Sequence, residues 1–425
     1  MAGECQLAEI ATIQQGRYLP PAMMAERCSE ATPIPVWGAN GVIGFTDSPS
    51  YEQAVPLVTC RGNGCGLVQW TGEPAHVSNN AMAIIPTTTE PSDTHYLYYS
   101  LLSTDFADVT TGSAQPQITV SHLSRKLVFW NKQAPERAAI AHILGTLDDK
   151  IELNRRTNET LEAIAQAVFK SWFVGFDPVR AKMAGRRPFG MDAATAALFP
   201  DSFQDSPLGE IPAGWKVERL ADHFDAVKGV SYKGSGLSDT GMPLHNLNSI
   251  YEGGGYKYEG IKRYNGEYAD RHVVRPGDVI VANTEQGHDR LLIGYAAIVP
   301  RLFGERGIAS HHIYRLRPGR NSNLTALFLC HLLNSPRMHD IVSGYANGTT
   351  VNMLPLDGVQ RPQIVAPPGA LITTFDGLAI QIEARREEMV AESRTLASIR
   401  DALLPKLLSG QVQVKDAEKL LESTV

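Results

Sequence analysis

One stretch of this chain is written twice, and that repeat limits the possible folds more than any other feature. Phe375 lies 235 residues after Ile140, and the same offset relates Leu147 to Ile382, Leu161 to Leu396, Ile164 to Ile399, Phe173 to Leu408 and Gly175 to Gly410. Both copies have the apolar spacing of long amphipathic helices. Upstream of each, the segments correspond more loosely. CQLAEIATIQQG resembles WKVERLADHFDAVKG, and TGSAQPQITVSHLSRKLV resembles NGTTVNMLPLDGVQRPQIV. Repeats of this size organise a chain before any local element does. The order read from them is globule, helix, linker, globule, helix, with boundaries at 1–133, 134–180, 181–214, 215–366 and 367–425. The linker is marked by the breakers in GRRPFG and DSFQDSPLGEIPAGW.

The globules read as mixed. The runs VPLVTC, HVSNNAMAIIP, GDVIVAN and IGYAAIVP are bounded by Gly, Pro and Asn and predict strands. YLYYSLLS and LTALFLCHLLNS predict short buried helices. A doubly wound parallel sheet would need regular long crossover helices, which the pattern lacks, so the class is α+β.

In the first long helix, Ile140, Leu147, Asn154, Leu161 and Val168 form one heptad series, and Leu144, Ile151, Asn158, Ala165 and Trp172 the other. In the second, Phe375, Ile382, Met389, Leu396 and Leu403 form an apolar seam, while its companion is mixed: Ala379, Arg386, Ser393, Arg400 and Leu407. Each helix could pack on its own globule. At about 1.5 Å per residue, however, each is roughly 55–60 Å long, more than such a globule needs, and pairing of the two as an antiparallel coiled coil with pseudo-twofold symmetry is the sharper expectation. Asn154 and Asn158 would then fix register, or else mark a solvent-exposed turn.

Signatures of chemistry are missing. GxxxxGK[ST], HExxH, GxSxG, an EF-hand loop and the Asn/Asp-Pro-Pro-Tyr/Phe motif of amino-methyltransferases do not occur, and FDPV (176–179) is not one of them. RGNGCG (61–66) reads as a turn. His311 and His312 are adjacent, so on a strand they would point to opposite sides and could not share a metal. Five cysteines (Cys5, Cys28, Cys60, Cys65 and Cys330) form no CxxC pair, which suggests reduced thiols in a cytoplasm. No run approaches the roughly 18 apolar residues of a membrane span. The expectation is a non-catalytic binding protein with no cofactor or metal of its own.

Several segments resemble one family. SWFVGFDPVRAKMAGRRPFGMDAATAALFPDSFQDSPLGEIPAGW (171–215) looks like the central conserved region of specificity subunits from type I restriction–modification systems. LDDKIELNRRTNETLEAIAQAVFKSWF (147–173) looks like their first conserved helix, and IRDALLPKLLSGQVQV (399–414) like the end of their second. PIPVWGANGVIGFTD (33–47) resembles a loop in one subclass of their target recognition domains. The resemblance implies two target recognition domains, each reading one half of a split sequence in double-stranded DNA, and helices that set the gap. It also implies two modification subunits that methylate adenine with S-adenosylmethionine, and restriction subunits that use ATP and Mg to translocate and cut. A coiled-coil scaffold or two-site protein-binding module with no DNA role is the alternative.

Base readers are usually polar side chains on exposed loops. The candidates in the first globule are Asn40, Arg61, Asn63, Asn79, Asn80, Gln115 and Gln117. In the second they are Lys233, Asn246, the NTEQGHDR run with Asn283, Thr284, Gln286, His288 and Arg290, and then Asn347, Thr349 and Thr350. Asn-Gly turns would explain many of these without DNA. Trp37 and Trp70 read as core.

The net charge of −6 argues superficially against DNA. It is unevenly spread: residues 1–133 carry −5, 134–187 carry +2, 188–206 carry −3, 207–366 carry +2 and 367–425 carry −2. Partner subunits could supply phosphate contacts, so the lone chain is expected to bind DNA weakly and the assembly tightly.

Overall fold

The computed structural model describes every residue except Met1, His288, Asn321, Thr349, Thr350 and 423–425. It is a mixed helix-and-sheet protein whose contacts divide it into two units, Met1–Leu153 with Glu392–Val425, and Asn154–Ala391. The division cuts through both long helices, Ala134–Phe169 and Gly369–Ser409. Each unit therefore contains one globule, the start of the helix that follows it, and a length of the other helix.

The first unit holds β1 (Ala2–Gln6), β2 (Ala11–Gln15), β3 (Ile34–Gly38), β4 (Gly41–Thr46), β5 (Pro56–Thr59), β6 (Val68–Trp70), β7 (His76–Val77), β8 (Ala81–Pro86) and β9 (Leu127–Asn131). Its four-stranded sheet runs β2-β8-β5-β6, its three-stranded sheet β4-β3-β7, and β1 pairs with β9. The run AMAIIP is a strand because it is buried on both faces: one side packs on Leu97 and Leu101 of the helix Pro91–Leu102, the other on Val55 and Val77.

The second unit holds β10 (Phe203–Gln204), β11 (Ile211–Pro212), β12 (Lys216–Arg219), β13 (Phe224–Lys228), β14 (Leu237–Ser238), β15 (Met242–His245), β16 (Lys262–Tyr264), β17 (Val273–Val274), β18 (Val279–Ala282), β19 (Thr284–Gln286), β20 (Ala296–Ile298), β21 (Gly307–Ala309), β22 (Ile313–Pro318), β23 (Val351–Met353) and β24 (Gln363–Ala366). A sheet β13-β22-β18-β20 corresponds to β2-β8-β5-β6, the core β16-β15-β21 of a five-stranded sheet to β4-β3-β7, and the pair β12-β24 to β1-β9. Even the parallel pairing recurs, Val36 with His76 and Leu244 with Ile308.

Register fixes the equivalences residue by residue. Ala81 lies opposite Thr59, and Ile313 opposite Ala282; Met82 lies opposite Gln15, and Tyr314 opposite Lys228. Ala81 thus answers to Ile313, Gln15 to Lys228 and Thr59 to Ala282. Those separations differ from one another and from the helices' 235, because loops of unequal length intervene, which is why the globules match only in outline as sequence. One glycine survives in both for a steric reason. A Cβ on Gly16 would sit 2.1 Å from the Ser78 carbonyl oxygen, and one on Gly229 would sit 2.2 Å from that of Ser310. In each unit the strand end passes this close to the turn that follows β7 or β21, so only glycine fits.

The helices meet inside each unit in antiparallel order. In the first, Ile140 and Leu144 pack with Leu403 and Leu407 against Tyr96 and Tyr99, and Arg400 pairs with Asp148 at 2.5 Å. In the second, Phe169 and Phe173 pack edge-on against Phe375 and Phe328. There Arg386 is held by Glu162 and Glu383. The two charges on the mixed seam are thus answered by carboxylates, which is how the seam tolerates them. Asn154, 2% exposed, donates to the Met389 carbonyl at 3.5 Å, and Asn158 to that of Arg386 at 3.5 Å. The asparagines face the other helix rather than forming a solvent-exposed turn. Of the other seam residues, Leu147, Ile382, Met389 and Leu396 are buried and Ile151 and Leu161 half-buried.

The first helix, expected to continue to 180, loses α-geometry earlier. A π-turn occupies Lys170–Val174, and Phe176 takes a left-handed φ of 54° before a short helix, Asp177–Met183. The segment 181–214 is more than connection: Phe199 and Ile211 are buried in the same cluster as Phe173 and Trp215.

Candidate nucleic-acid interface

In the first unit, backbone hydrogen bonds gather the candidate loops. The Cys60 N–H donates to the Asn80 carbonyl at 2.9 Å, the Ile118 N–H to Cys60 at 3.0 Å and the Gly62 N–H to Pro116 at 3.0 Å, while Arg61 bridges to Gln117. Gln15 donates from its side chain to the Asn79 carbonyl at 2.7 Å. Asn40 joins them: its Oδ1 lies where a Cβ on Gly64 would have to go. Arg61, Asn63, Asn79, Asn80, Gln115, Gln117 and Asn40 therefore sit on adjoining turns, and all are exposed or half-exposed. Arg17, also exposed, follows Gly16 into the same corner. Trp37 and Trp70 are half-buried, Trp70 against His95 and Tyr98 with ring centroids 4.3 and 5.3 Å apart.

The second unit builds the same corner from different side chains. The Asn283 N–H donates to His312 and the Leu354 N–H to Asn283, the counterparts of the Cys60 and Ile118 bonds. His311 and His312 thus take the places of Asn79 and Asn80. They lie in a turn between β21 and β22, not on a strand, so neighbouring side chains need not oppose each other, and their ring centroids are 3.8 Å apart. Burial, followed by the neighbouring His311 and Lys228, pushes the His312 pKa down, so it is neutral at pH 7.

Three candidates expected on exposed loops are instead buried. Asn283, 1% exposed, donates its amide to the His311 carbonyl at 3.1 Å; Thr284, 5% exposed, bonds His312 Nδ1 at 2.9 Å. Both brace the histidine turn from behind. Asn246, 6% exposed, caps a helical turn by accepting from the Asn248 N–H at 2.8 Å. Exposure could not be foreseen because NTEQGHDR begins inside the sheet, one residue past β18. Glu285, not singled out from sequence, pins the rest of that loop by accepting from the N–H groups of Leu291 at 2.8 Å, Leu292 at 3.3 Å and Ile293 at 3.3 Å. Lys233, Gln286, Arg290 and Asn347 are exposed. His288, Thr349 and Thr350 lie outside the described residues. The signal that would have found the histidine pair is the register: His311 lies 232 residues after Asn79, as Ile313 does after Ala81.

Among the described residues no helix is long and apolar enough to cross a membrane, and no group of three or more His, Cys, Asp or Glu is placed to hold a metal.

Residues 3–163 match the family model of the type I restriction modification DNA specificity domain. Relatives extend the similarity along the chain. The type I restriction enzyme HindI specificity subunit of Haemophilus influenzae is 26% identical over 70% of this chain and 71% of its own length. The MjaIX specificity subunit of Methanocaldococcus jannaschii is 24% identical over 86% of this chain and 79% of its own. The crystal structure of a type I restriction–modification S subunit from M. genitalium shares the fold with a TM-score of 0.56, at 15% identity and 96% coverage of both chains. The chain is thus similar, at its N-terminus, to the type I restriction modification DNA specificity domain and, along most of its length, to proteins named as type I specificity subunits.

Proposed function

We propose that this chain is the non-catalytic specificity subunit of a type I restriction–modification complex, reading a split target in double-stranded DNA, one half per globule. The observation that carries this is the duplicated corner: one scaffold built twice, with polar and basic side chains that differ at equivalent positions. A protein that must read two different half-sites needs that combination, since base contacts specify while the frame only positions.

The two long helices act as an antiparallel coiled coil that sets the gap between the half-sites and docks two modification subunits. Those subunits supply S-adenosylmethionine and adenine methylation. Restriction subunits with ATP and Mg supply translocation and cleavage, in the cytoplasm. The acidic first globule supports a division of labour in which partners provide much of the phosphate contact.

Methylome sequencing of a host carrying the chain with its modification subunits tests the reading. A split methylated motif is expected, one half of which changes when the Arg61–Gln117 corner is altered. Methylation with no split motif, or one indifferent to both globules, would sink it. Inserting about four residues into each helix adds roughly 6 Å per helix, so the gap should grow by one or two base pairs at about 3.4 Å each, with both halves unchanged.

A further inference from the structure

The second unit contains an open hollow of about 430 Å³ formed by Lys228, Gly229, Ser231, Arg271, His272 and His311 together with the backbone of β13. We propose that it is a phosphate site that seats one backbone phosphate of the DNA flanking the half-site read by this globule. The proposal rests on the DNA-reading function above and adds to it a specific anchor that phosphate chemistry would recognise.

The charge is one-signed where it matters. Among the described residues no carboxylate lines the hollow. Of the nearby acids, Asp278 takes both oxygens to Arg317 at 2.6 Å and Asp270 pairs with Arg306 at 3.7 Å, while Asp225, exposed on β13, acts electrostatically on Arg315. Lys228 and Arg271 are exposed and have no ion-pair partner among the described residues. An ammonium and a guanidinium without a carboxylate suit a tetrahedral oxyanion, Arg through paired N–H donors and Lys as a point charge. The same two cations repel a metal ion, which disfavours the metal reading that paired histidines would otherwise invite.

Uncommitted polar atoms adjoin the two cations. The buried Nδ1 of His311 and Oγ of the adjoining Ser310 have no hydrogen-bond partner among the described residues, and such groups ordinarily find one. Arg271 Nε lies 3.1 Å from His272 Nε2, which steadies both side chains at the rim. Burial, then Arg271 and Arg315, holds His272 below its ordinary pKa. Its Nδ1 faces the Ala269 N–H at 3.3 Å, so it braces the rim and adds no positive charge of its own to the hollow. Gly229 keeps the floor open, since its strand end is pressed onto the Ser310 carbonyl.

Position is the independent argument. Lys228, Gly229 and His311 occupy the places of Gln15, Gly16 and Asn79 in the first unit, the corner where the exposed polar candidates of that globule gather. The second unit puts a cation there within a globule of net charge +2, where the first has net charge −5.

The test is a salt titration of duplex binding by the full chain assembled with its modification subunits, read by fluorescence anisotropy on a 40-base-pair duplex carrying the methylated motif and on a scrambled one. Each phosphate contact contributes about 0.9 to the slope of log affinity against log salt, so about eightfold at 0.1 M salt. The double variant K228Q/R271Q removes both cations from that one phosphate, so it should lower the slope by about 0.9 and weaken both duplexes alike by about eightfold. K216Q/R219Q, which removes equal charge from β12, should change it much less. Unfolding midpoints of all three proteins should agree, since both substituted side chains in the hollow are exposed. If K228Q/R271Q binds like the parent or like the β12 control, the phosphate site is wrong while the specificity-subunit reading stands. If the parent assembly does not bind the motif duplex, that reading falls and takes the site with it. Inorganic phosphate serves as the second probe. Saturable binding of phosphate that the double variant loses, with duplex affinity unchanged, would show a site for the free ion and overturn the DNA assignment.

Discussion

The two units share a strand order, a parallel crossing and a forced glycine, yet they fasten their globules to the helices in different ways. In the first, Arg137 on the long helix forks onto Asp93 with two bonds of 2.7 Å, donates to the Asn131 carbonyl at 2.7 Å and stacks on Trp130 at 4.5 Å. Both charges are buried. In the second, the residue 235 positions later is Ile372, equally buried among Phe328, Phe375 and their neighbours. A buried ion pair and an aliphatic side chain thus do one job in two copies of one frame. Backbone geometry is what the duplication preserves, and side-chain chemistry is free to diverge wherever the frame tolerates it. The same rule governs the corner, where Asn79–Asn80 becomes His311–His312 and Arg61 becomes Thr284.

The largest expected effect would break this comparison at its fastening. Asp93→Ala strands a buried guanidinium and should destabilise the first unit by about 3–5 kcal/mol, whereas Asp93→Leu with Arg137→Met should recover most of that. Hydrogen exchange resolved by segment is the measurement, because two units need not unfold together. Equal losses for the single and double variants would mean that the pair is not the fastening. In the second unit, Phe375→Ala removes a ring packed on Phe169 and Phe173 and should cost about 3–5 kcal/mol, localised to residues 154–391.

A second expectation concerns acid. Burial lowers the His245 pKa to about 4, and its Nδ1 lies 2.8 Å from the Tyr256 hydroxyl. Its counterpart in the first unit is Trp37, since Ser310 N–H donates to His245 as Ser78 N–H does to Trp37. The unfolded chain binds this proton near pH 6.5 and the folded chain only near 4. Stability of the second unit should therefore be intact above pH 6.5 and fall as pH drops toward 4, by up to roughly 3 kcal/mol. Urea unfolding across that range should show the slope, and His245→Phe should flatten it.

Gly229→Ala should cost about 1–3 kcal/mol, since its Cβ meets backbone that cannot swing away, and Gly16→Ala should do the same in the first unit. The smallest effect separates an exposed candidate from a buried brace. Thr284→Val loses a buried bond to His312 and should cost about 1 kcal/mol, while Arg61→Gln at the equivalent exposed place should leave stability unchanged within about 0.5 kcal/mol and alter duplex affinity. A stability loss from Arg61→Gln as large as that from Thr284→Val would erase the distinction.

Much of the architecture was legible because it depends on short-range pattern. The 235-residue offset announced the duplication, the heptads gave both long helices, and GDVIVAN and VPLVTC gave the central strands. The candidate loops of the first globule were also legible, since Asn, Gly and Gln there do mark exposed turns. The second globule misled at Asn246, Asn283 and Thr284 because a polar residue one step past a strand can turn inward and brace its neighbours. Its side chain satisfies a buried carbonyl or ring nitrogen, and nothing in composition distinguishes that from an exposed donor.

The sequence by itself determined that this chain is a repeat of a mixed domain and a long amphipathic helix, because periodicity and spacing are properties of the chain alone. Tertiary structure decided which polar side chains face outward, that Arg386 and Arg400 on the helix seam are answered by Glu162 and Asp148, and that Lys228, Arg271 and His311 share one hollow. Those outcomes depend on strand register and on loops of unequal length, which bring together residues up to about 250 positions apart and leave no trace in local pattern.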